Sequence, residues 1–189
     1  MKTKLIIAVI MMLAQLAVPG YMIYQRENTL KNGETFLFKT APVDPFDAFR
    51  GRYVALNFDQ TTISLPDENT DIRQGNTVYT QLEKNEHGVA SLVSIHRSKP
   101  KYGAFLRTKV RSAYGSEIRV KLPFDRFYMD EFSAPEAERL YRKINRWQTE
   151  NKGKKRECYA QVKVLDGLAV LEGLIIDGRE IKDALKEQQ

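Results

Sequence analysis

Cysteine and histidine are scarce in this sequence of 189 residues, and their scarcity excludes several kinds of site. Cys158 is the only cysteine, so the chain can form no internal disulfide and no cysteine metal cluster. Cys158 falls in a predicted strand, where a free cysteine is typically a small buried hydrophobe. His87 and His96 are the only histidines, with Glu83 and Glu86 near them. We interpret these four as solvated turn residues and predict no metal site.

Several catalytic and cofactor motifs are also missing. Glycine shows no phosphate-binding or dinucleotide-binding pattern, and neither a Gly-x-Ser-x-Gly elbow nor a His-Glu-x-x-His motif occurs. We therefore predict no cofactor. A Ser–Lys nucleophilic pair is the remaining catalytic alternative, because Ser91, Ser94 and Ser98 precede Lys99 and Lys101. Nothing in the sequence places either lysine in the apolar setting that would activate it.

Acidic residues do not balance the basic ones. The chain has 30 Lys and Arg against 24 Asp and Glu, which gives a net charge of +6. Part of the excess lies in residues 152–156, Lys-Gly-Lys-Lys-Arg. Such a run can face nucleic acid or an anionic membrane surface, but it is more often a solvated loop. We predict no nucleic-acid partner.

One long uncharged stretch begins near the N-terminus. No charge occurs from Leu5 to Tyr24, a run of about 20 residues, which is the length that a membrane-spanning helix needs. Lys2 and Lys4 precede the run and favour a cytoplasmic N-terminus, although basic residues also follow it. A cleaved signal peptide is the alternative, but Val18-Pro-Gly20 is a poor cleavage site. We expect residues 1–25 to be an uncleaved single-pass anchor in the inner (cytoplasmic) membrane, with the following domain outside the cytoplasm.

Hairpin signals dominate the rest of the chain. We expect a connector over 26–33, a β-rich domain over 34–182 and a polar tail over 183–189. The predicted fold is mainly β, an antiparallel hairpin-rich barrel or sandwich of about seven to nine strands. One amphipathic helix, capped by Ser133, is expected to cover an opening of the sheet or to offer a groove to a partner. Alternation and turn residues predict strands over 35–39, 53–59, 61–64, 76–84, 89–96, 105–114, 117–122, 157–165 and 168–176.

Two of these strands carry basic residues on one face. Arg107, Lys109 and Arg111 alternate along the first strand, and Arg119 and Lys121 alternate along the second. A hairpin turn at 115–116 would set the two faces side by side. The resulting patch is interpreted as a partner surface or as a face for lipid or polyanions. The alternative is an outward face that charge keeps soluble.

A polar corner is predicted where a turn leads into the strand that starts at Tyr53. Its acids and arginines would meet if this segment folds against the aromatic segment near 125–128. The corner is then either a structural ion-pair network or a pocket for a polar or charged group on an envelope ligand or a partner. In chain order, the corner comprises Asp44, Asp47, Arg50, Gly51, Arg52, Tyr53, Asp125, Arg126 and Tyr128.

The stretch Gly51-Arg-Tyr-Val-Ala-Leu-Asn-Phe58 resembles the motif that names the GDYXXLXY family of bacterial membrane-anchored proteins. The lead-in over 44–50 and the later segments 122–128 and 174–179 fit that family too. Arg52 stands where the family has Asp, which reverses a charge, and Phe58 stands where it has Tyr.

The resemblance implies an N-terminal anchor, no established activity, and a multi-pass inner-membrane protein as the partner. We therefore expect a non-enzymatic accessory or binding protein of the bacterial cell envelope, tethered at its N-terminus. The alternative is a membrane-bound hydrolase or peptidase with an unrecognised site.

Overall fold

The computed structural model describes residues 2–41, 53–58, 61–64, 72–128, 139, 157–176, 178–181 and 183. Of these, residues 2, 3, 5, 8, 9, 41 and 53–55 are described by their backbone alone. The predicted amphipathic helix lies outside the described residues except for Arg139, which is helical, and so does the basic run 152–156.

The described chain is mainly β, with antiparallel sheets and one long helix. The helix α1 spans Lys2–Asn32. The strands are β1 (Glu34–Ala41), β2 (Tyr53–Ala55), β3 (Asn57–Phe58), β4 (Thr62–Ser64), β5 (Thr77–Lys84), β6 (Ala90–His96), β7 (Ala104–Tyr114), β8 (Glu117–Lys121), β9 (Arg126–Tyr128), β10 (Cys158–Leu165), β11 (Leu168–Ile176) and β12 (Arg179–Glu180). These are more than the seven to nine strands predicted, because five of them span only two or three residues.

The helix α1 has two parts with different surroundings. From Ile6 to Tyr24 the large apolar side chains that the structure describes are each at least 54% exposed. Its last turns contact β10 and β11, and Thr29 is buried there. Gly33 ends the helix with its N–H donating to the Thr29 carbonyl oxygen at 2.9 Å. Over the side chains that the structure describes, no helix combines the length and the apolar composition needed to cross a membrane.

One five-stranded sheet, in the order β4-β8-β7-β5-β6, curls into a nearly closed, barrel-like form. Its edge strands β4 and β6 come into contact. Bulges add curvature, because Val93 and Arg111 each stand as an extra residue in their strand pair. The inside is filled by a small apolar cluster of Ile63, Ile72, Val78, Ile95, Val110, Ile118 and Val120.

A second five-stranded sheet, in the order β12-β11-β10-β1-β3, packs beside the first. Single bridges join the two sheets at Leu37–Val89 and at Leu106–Gly167. The larger core cluster fills the space at this junction and includes Phe36, Leu106 and Leu174, each no more than 1% exposed. The two sheets therefore share the larger cluster, while the smaller cluster lies within the first sheet.

The predicted hairpins are confirmed. β5 pairs with β6 across the turn at 85–88, and β7 pairs with β8 across Gly115. β10 pairs with β11 across Asp166 and Gly167, whose φ values of 52° and 83° are those of a type I′ turn. The prediction that Cys158 is buried is also confirmed.

Candidate functional site

The five basic residues predicted to share one sheet face lie along two adjoining grooves. Their side chains are exposed, whereas the residues at 108, 110 and 120 that separate them along the strands are buried. Arg111 keeps this exposure although it is the extra residue of the bulge. The structure therefore brings together all of the predicted face: Arg107, Lys109, Arg111, Arg119 and Lys121.

The larger groove, which we name the basic groove, has a volume of about 950 Å³. Four cations line it, namely Lys109, Arg111, Arg119 and Lys121, with Asp125 at its border. A smaller groove of about 400 Å³ adjoins it and adds Arg107. Apolar residues, among them Leu56 and Phe124, also line the basic groove, together with four uncharged hydrogen-bonding side chains: Asn57, Thr61, Thr62 and Gln74.

Charge in the basic groove is only partly neutralised. Lys121 Nζ lies 3.5 Å from Asp125 Oδ2, and Arg119 Nε donates to Thr62 Oγ1 at 3.3 Å. Among the described residues, no carboxylate lies within ion-pair distance of Lys109 or Arg111. Lys109 also stands directly opposite Lys121 in the strand pair, an arrangement of like charges that destabilises a sheet. The described lining of the groove therefore carries an excess of positive charge.

The predicted polar corner is described only in part. β2 pairs antiparallel with β9, which puts Tyr53 opposite Tyr128 and Ala55 opposite Arg126. The strand that starts at Tyr53 thus lies against the aromatic segment, while the expected ion pairs with the arginines of the turn stay a prediction. The remaining members lie outside the described residues: Asp44, Asp47, Arg50, Gly51 and Arg52.

A cleft of about 470 Å³ lies beside this strand pair, next to α1. We name it the helix-side cleft. Arg26 of α1 and the segment with Asp125, Arg126 and Tyr128 line it, together with Glu172 of β11. Tyr128 is 65% exposed, and Asp125 borders both this cleft and the basic groove. The two surfaces are therefore adjacent.

A separate ionisable cluster joins β1 to β10. The hydroxyl of Tyr159 donates to Glu157 Oε2 at 2.7 Å, and Lys39 Nζ lies 3.4 Å from Glu157 Oε1. The pKa of Tyr159 is raised from 10.0 to about 12. Burial is the largest cause, and the hydrogen bond and the negative charge of Glu157 add to it. This cluster cross-links two strands and holds a neutral phenol.

The serines and lysines considered as a catalytic pair are not brought together. Ser94 Oγ lies 2.9 Å from His96 Nε2, and Gln81 Oε1 lies 3.2 Å from the same nitrogen. Lys99 Nζ forms an exposed ion pair with Asp166 at 3.1 Å. Within the part of the chain that the structure describes, no three His, Cys, Asp or Glu side chains converge as they would around a metal ion.

Sequence patterns missed the uncharged lining of the basic groove and the part that Arg26 takes in the helix-side cleft. Asn57, Thr61 and Gln74 come from three short segments that are distant from β7 and β8 in sequence. Two of the segments are held beside the cations by backbone hydrogen bonds, because Val120 N–H donates to the Thr61 carbonyl oxygen and Gly75 N–H donates to the Val110 carbonyl oxygen. Asn57 arrives with β3 of the second sheet. These are long-range contacts, so no local signal identified the residues.

Comparison with known proteins gives one match. A sequence model of the GDYXXLXY protein family matches residues 15–174, a span that runs from the middle of α1 into β11. No curated protein and no solved structure matches the chain.

Proposed function

The chain belongs to the GDYXXLXY protein family, and on that premise we propose that it is a membrane-anchored binding protein of the bacterial cell envelope. In this proposal α1 crosses the inner membrane once and the β-rich domain lies outside the cytoplasm. The partner is a multi-pass protein of the same membrane. The protein acts by docking and not by catalysis.

The observation that carries the proposal is the division of α1. The large apolar side chains described from Ile6 to Tyr24 are exposed, and lipid would bury them. The uncharged run also includes Leu5, Ala8 and Val9, whose side chains the structure does not describe, so the full length of the proposed span is known from the sequence. Packing of the last turns on β10 and β11 supports a fixed connection between the helix and the domain.

The helix-side cleft supports the choice of docking surface. Arg26 lines this cleft and follows the end of the apolar run by only two residues. A cleft in that position would lie close to the membrane, where the loops of a multi-pass protein emerge. Exposed Tyr128 is the kind of amphipathic aromatic that is enriched in protein interfaces.

The experiment is co-purification of the full-length chain from detergent-solubilised bacterial membranes. We expect one multi-pass membrane protein to be recovered with it. Tyr128→Ala should lower the recovery of that protein about tenfold or more, the loss expected for an aromatic hot spot, without changing the melting temperature. Tyr114→Ala is the matched control, since Tyr114 is 90% exposed and does not line the cleft.

Equal recovery with both tyrosine variants would contradict docking at the helix-side cleft. Recovery of the chain in the soluble fraction, without membranes, would contradict the anchor itself.

A further inference from the structure

The basic groove carries more positive charge than a face kept soluble by charge requires. An exposed face that only keeps a protein soluble usually carries basic and acidic side chains next to one another, which limits the repulsion between like charges. Here four cations line one groove, and Asp125 is the only acid among its described lining residues. Asp125 also contacts Arg126, whose Nε lies 3.8 Å from Asp125 Oδ1. Its single charge is thus shared.

The register of β7 and β8 fixes how these cations are spaced. Lys109 and Lys121 are directly opposed, and Arg119 lies two residues before Lys121 on the same strand. Opposed side chains on a sheet are separated by about 5 Å, and residues two apart along a strand by about 7 Å. One tetrahedral oxyanion with several acceptor oxygens can therefore bridge Lys109 and Lys121, and a second anionic group can reach Arg119.

The neutral hydrogen-bonding side chains and the size of the groove limit the range of possible ligands further. Thr61, Thr62 and Gln74 can hydrogen-bond a polar group attached to the anion. A volume of about 950 Å³ exceeds the volume of an inorganic phosphate and leaves room for such a group. A single carboxylate, with one negative charge, would leave most of the cations unpaired.

We propose that the basic groove binds a phosphate-bearing ligand with at least two negative charges, a phosphate monoester or a diphosphate. Lys109 and Lys121 hold the phosphate between them, and Arg119 and Arg111 bind its second charge. The inference concerns a surface distinct from the helix-side cleft and does not depend on membrane anchoring. Binding removes the repulsion between the opposed lysines, so the ligand also stabilises the folded domain.

Calorimetric titration of the detergent-solubilised full-length chain with inorganic pyrophosphate tests the site. Saturable binding that weakens with added NaCl is expected. The double variant Lys109→Gln/Arg119→Gln should weaken it by about tenfold or more for each cation removed, the loss expected for one charge-assisted hydrogen bond. The control double variant Lys101→Gln/Lys163→Gln removes the same net charge outside the groove and should bind pyrophosphate as the wild type does.

Lys109→Glu separates binding from folding. A glutamate opposite Lys121 would form a cross-strand ion pair, so the melting temperature should stay equal or rise while pyrophosphate binding is lost. The proposal would be overturned if the wild type bound neither pyrophosphate nor, in the lipid experiment below, phosphatidic acid. It would also be overturned if the control double variant lost as much pyrophosphate affinity as Lys109→Gln/Arg119→Gln.

A second arm identifies the source of the phosphate. The full-length chain is reconstituted in nanodiscs that contain phosphatidic acid or, as a control, only phosphatidylcholine. Competition of phosphatidic acid with pyrophosphate would assign the groove to a lipid phosphate, and pyrophosphate binding without competition would assign it to a soluble phosphorylated ligand. Both outcomes support the site.

Discussion

At the scale of single residues, Tyr159 shows how a local contact depends on pH. Its hydroxyl donates to Glu157, which is also close to Lys39 on the neighbouring strand. Because the pKa of Tyr159 is raised to about 12, the folded protein keeps the phenol proton at a pH at which an unfolded chain, with a pKa near 10.0, has lost it. The stabilisation is complete below about pH 10 and is lost as the pH rises through about 12.

We therefore predict that Tyr159→Phe makes the stability less dependent on alkaline pH. The free energy of unfolding of the wild type should fall more steeply between pH 10 and 12 than that of the variant, as measured by urea unfolding at each pH. Glu157→Gln keeps an acceptor but removes the charge, and should give an intermediate slope. Parallel profiles for the wild type and Tyr159→Phe would show that this phenol does not couple to folding.

A second feature at this scale is a buried hydroxyl pair. Thr80 Oγ1 and Thr108 Oγ1 lie 2.8 Å apart and are at most 2% exposed. They stand between the two apolar clusters, since Val78 belongs to the smaller cluster and Leu82 to the larger one along the same strand. Each hydroxyl therefore depends on the other for a partner.

Replacing one threonine by the isosteric valine should leave the other hydroxyl buried without that partner, at a cost of about 1–3 kcal/mol. The double variant Thr80→Val/Thr108→Val should recover most of that loss, because both polar groups are gone. A double-mutant cycle from urea unfolding measures the coupling. Strictly additive losses in the double variant would show that the two hydroxyls do not stabilise each other.

At the scale of elements, the junction of α1 with the second sheet depends on one glycine. A Cβ at Gly33 would overlap the carbonyl oxygen of Thr29 and lie 3.2 Å from the backbone N and O of Val164. These are backbone atoms and cannot rotate away. At Gly20, in the same helix, a Cβ would meet nothing within 4 Å.

Gly33→Ala should therefore lower the free energy of unfolding by about 1–3 kcal/mol, the range for overpacking. Gly20→Ala is the matched control and should be neutral or slightly stabilising, because alanine favours a helix more than glycine does. The melting temperatures of the two variants, measured by thermal unfolding, test this difference. Equal melting temperatures for the two variants would mean that the helix end does not pack tightly on β10.

The long strands and the short strand β4 could be predicted from the sequence, whereas the short strands β9 and β12 could not. Alternation over five or more residues identified β1, β5, β6, β7, β8, β10 and β11, and the Asp166-Gly167 dipeptide identified its turn. β9 and β12 have only three and two residues, which is too few to reveal an alternation of apolar and polar side chains. Each is paired with a partner strand, β2 for β9 and β11 for β12. The strand predicted over 53–59 is divided at Leu56, whose N–H donates to the Asp125 carbonyl oxygen at 2.9 Å.

At the scale of the whole molecule, the sequence predicted that five cations share one sheet face, but it did not predict that they line a groove. Alternation placed five cations on one face, and the fold retains that placement. Residues 56–58, 61–62, 74–75, 122 and 124–125 line the basic groove together with the cations of β7 and β8. Most of these residues reach the two strands through long-range contacts, which hydrophobic periodicity does not encode.

Shared lining residues connect three features of the whole molecule. The apolar part of α1 leads to Arg26 and the helix-side cleft, and Asp125 connects that cleft to the basic groove. If the helix lies in the membrane, the helix-side cleft, which Arg26 lines, is close to it. The account therefore rests on the placement of the helix in lipid and of the domain outside the cytoplasm.

Protease treatment of intact spheroplasts that express the full-length chain tests this placement most directly. The account predicts that added protease digests the β-rich domain and leaves a short N-terminal fragment that stays with the membranes after an alkaline wash. A domain that survives in intact spheroplasts and is digested only after lysis would contradict the account.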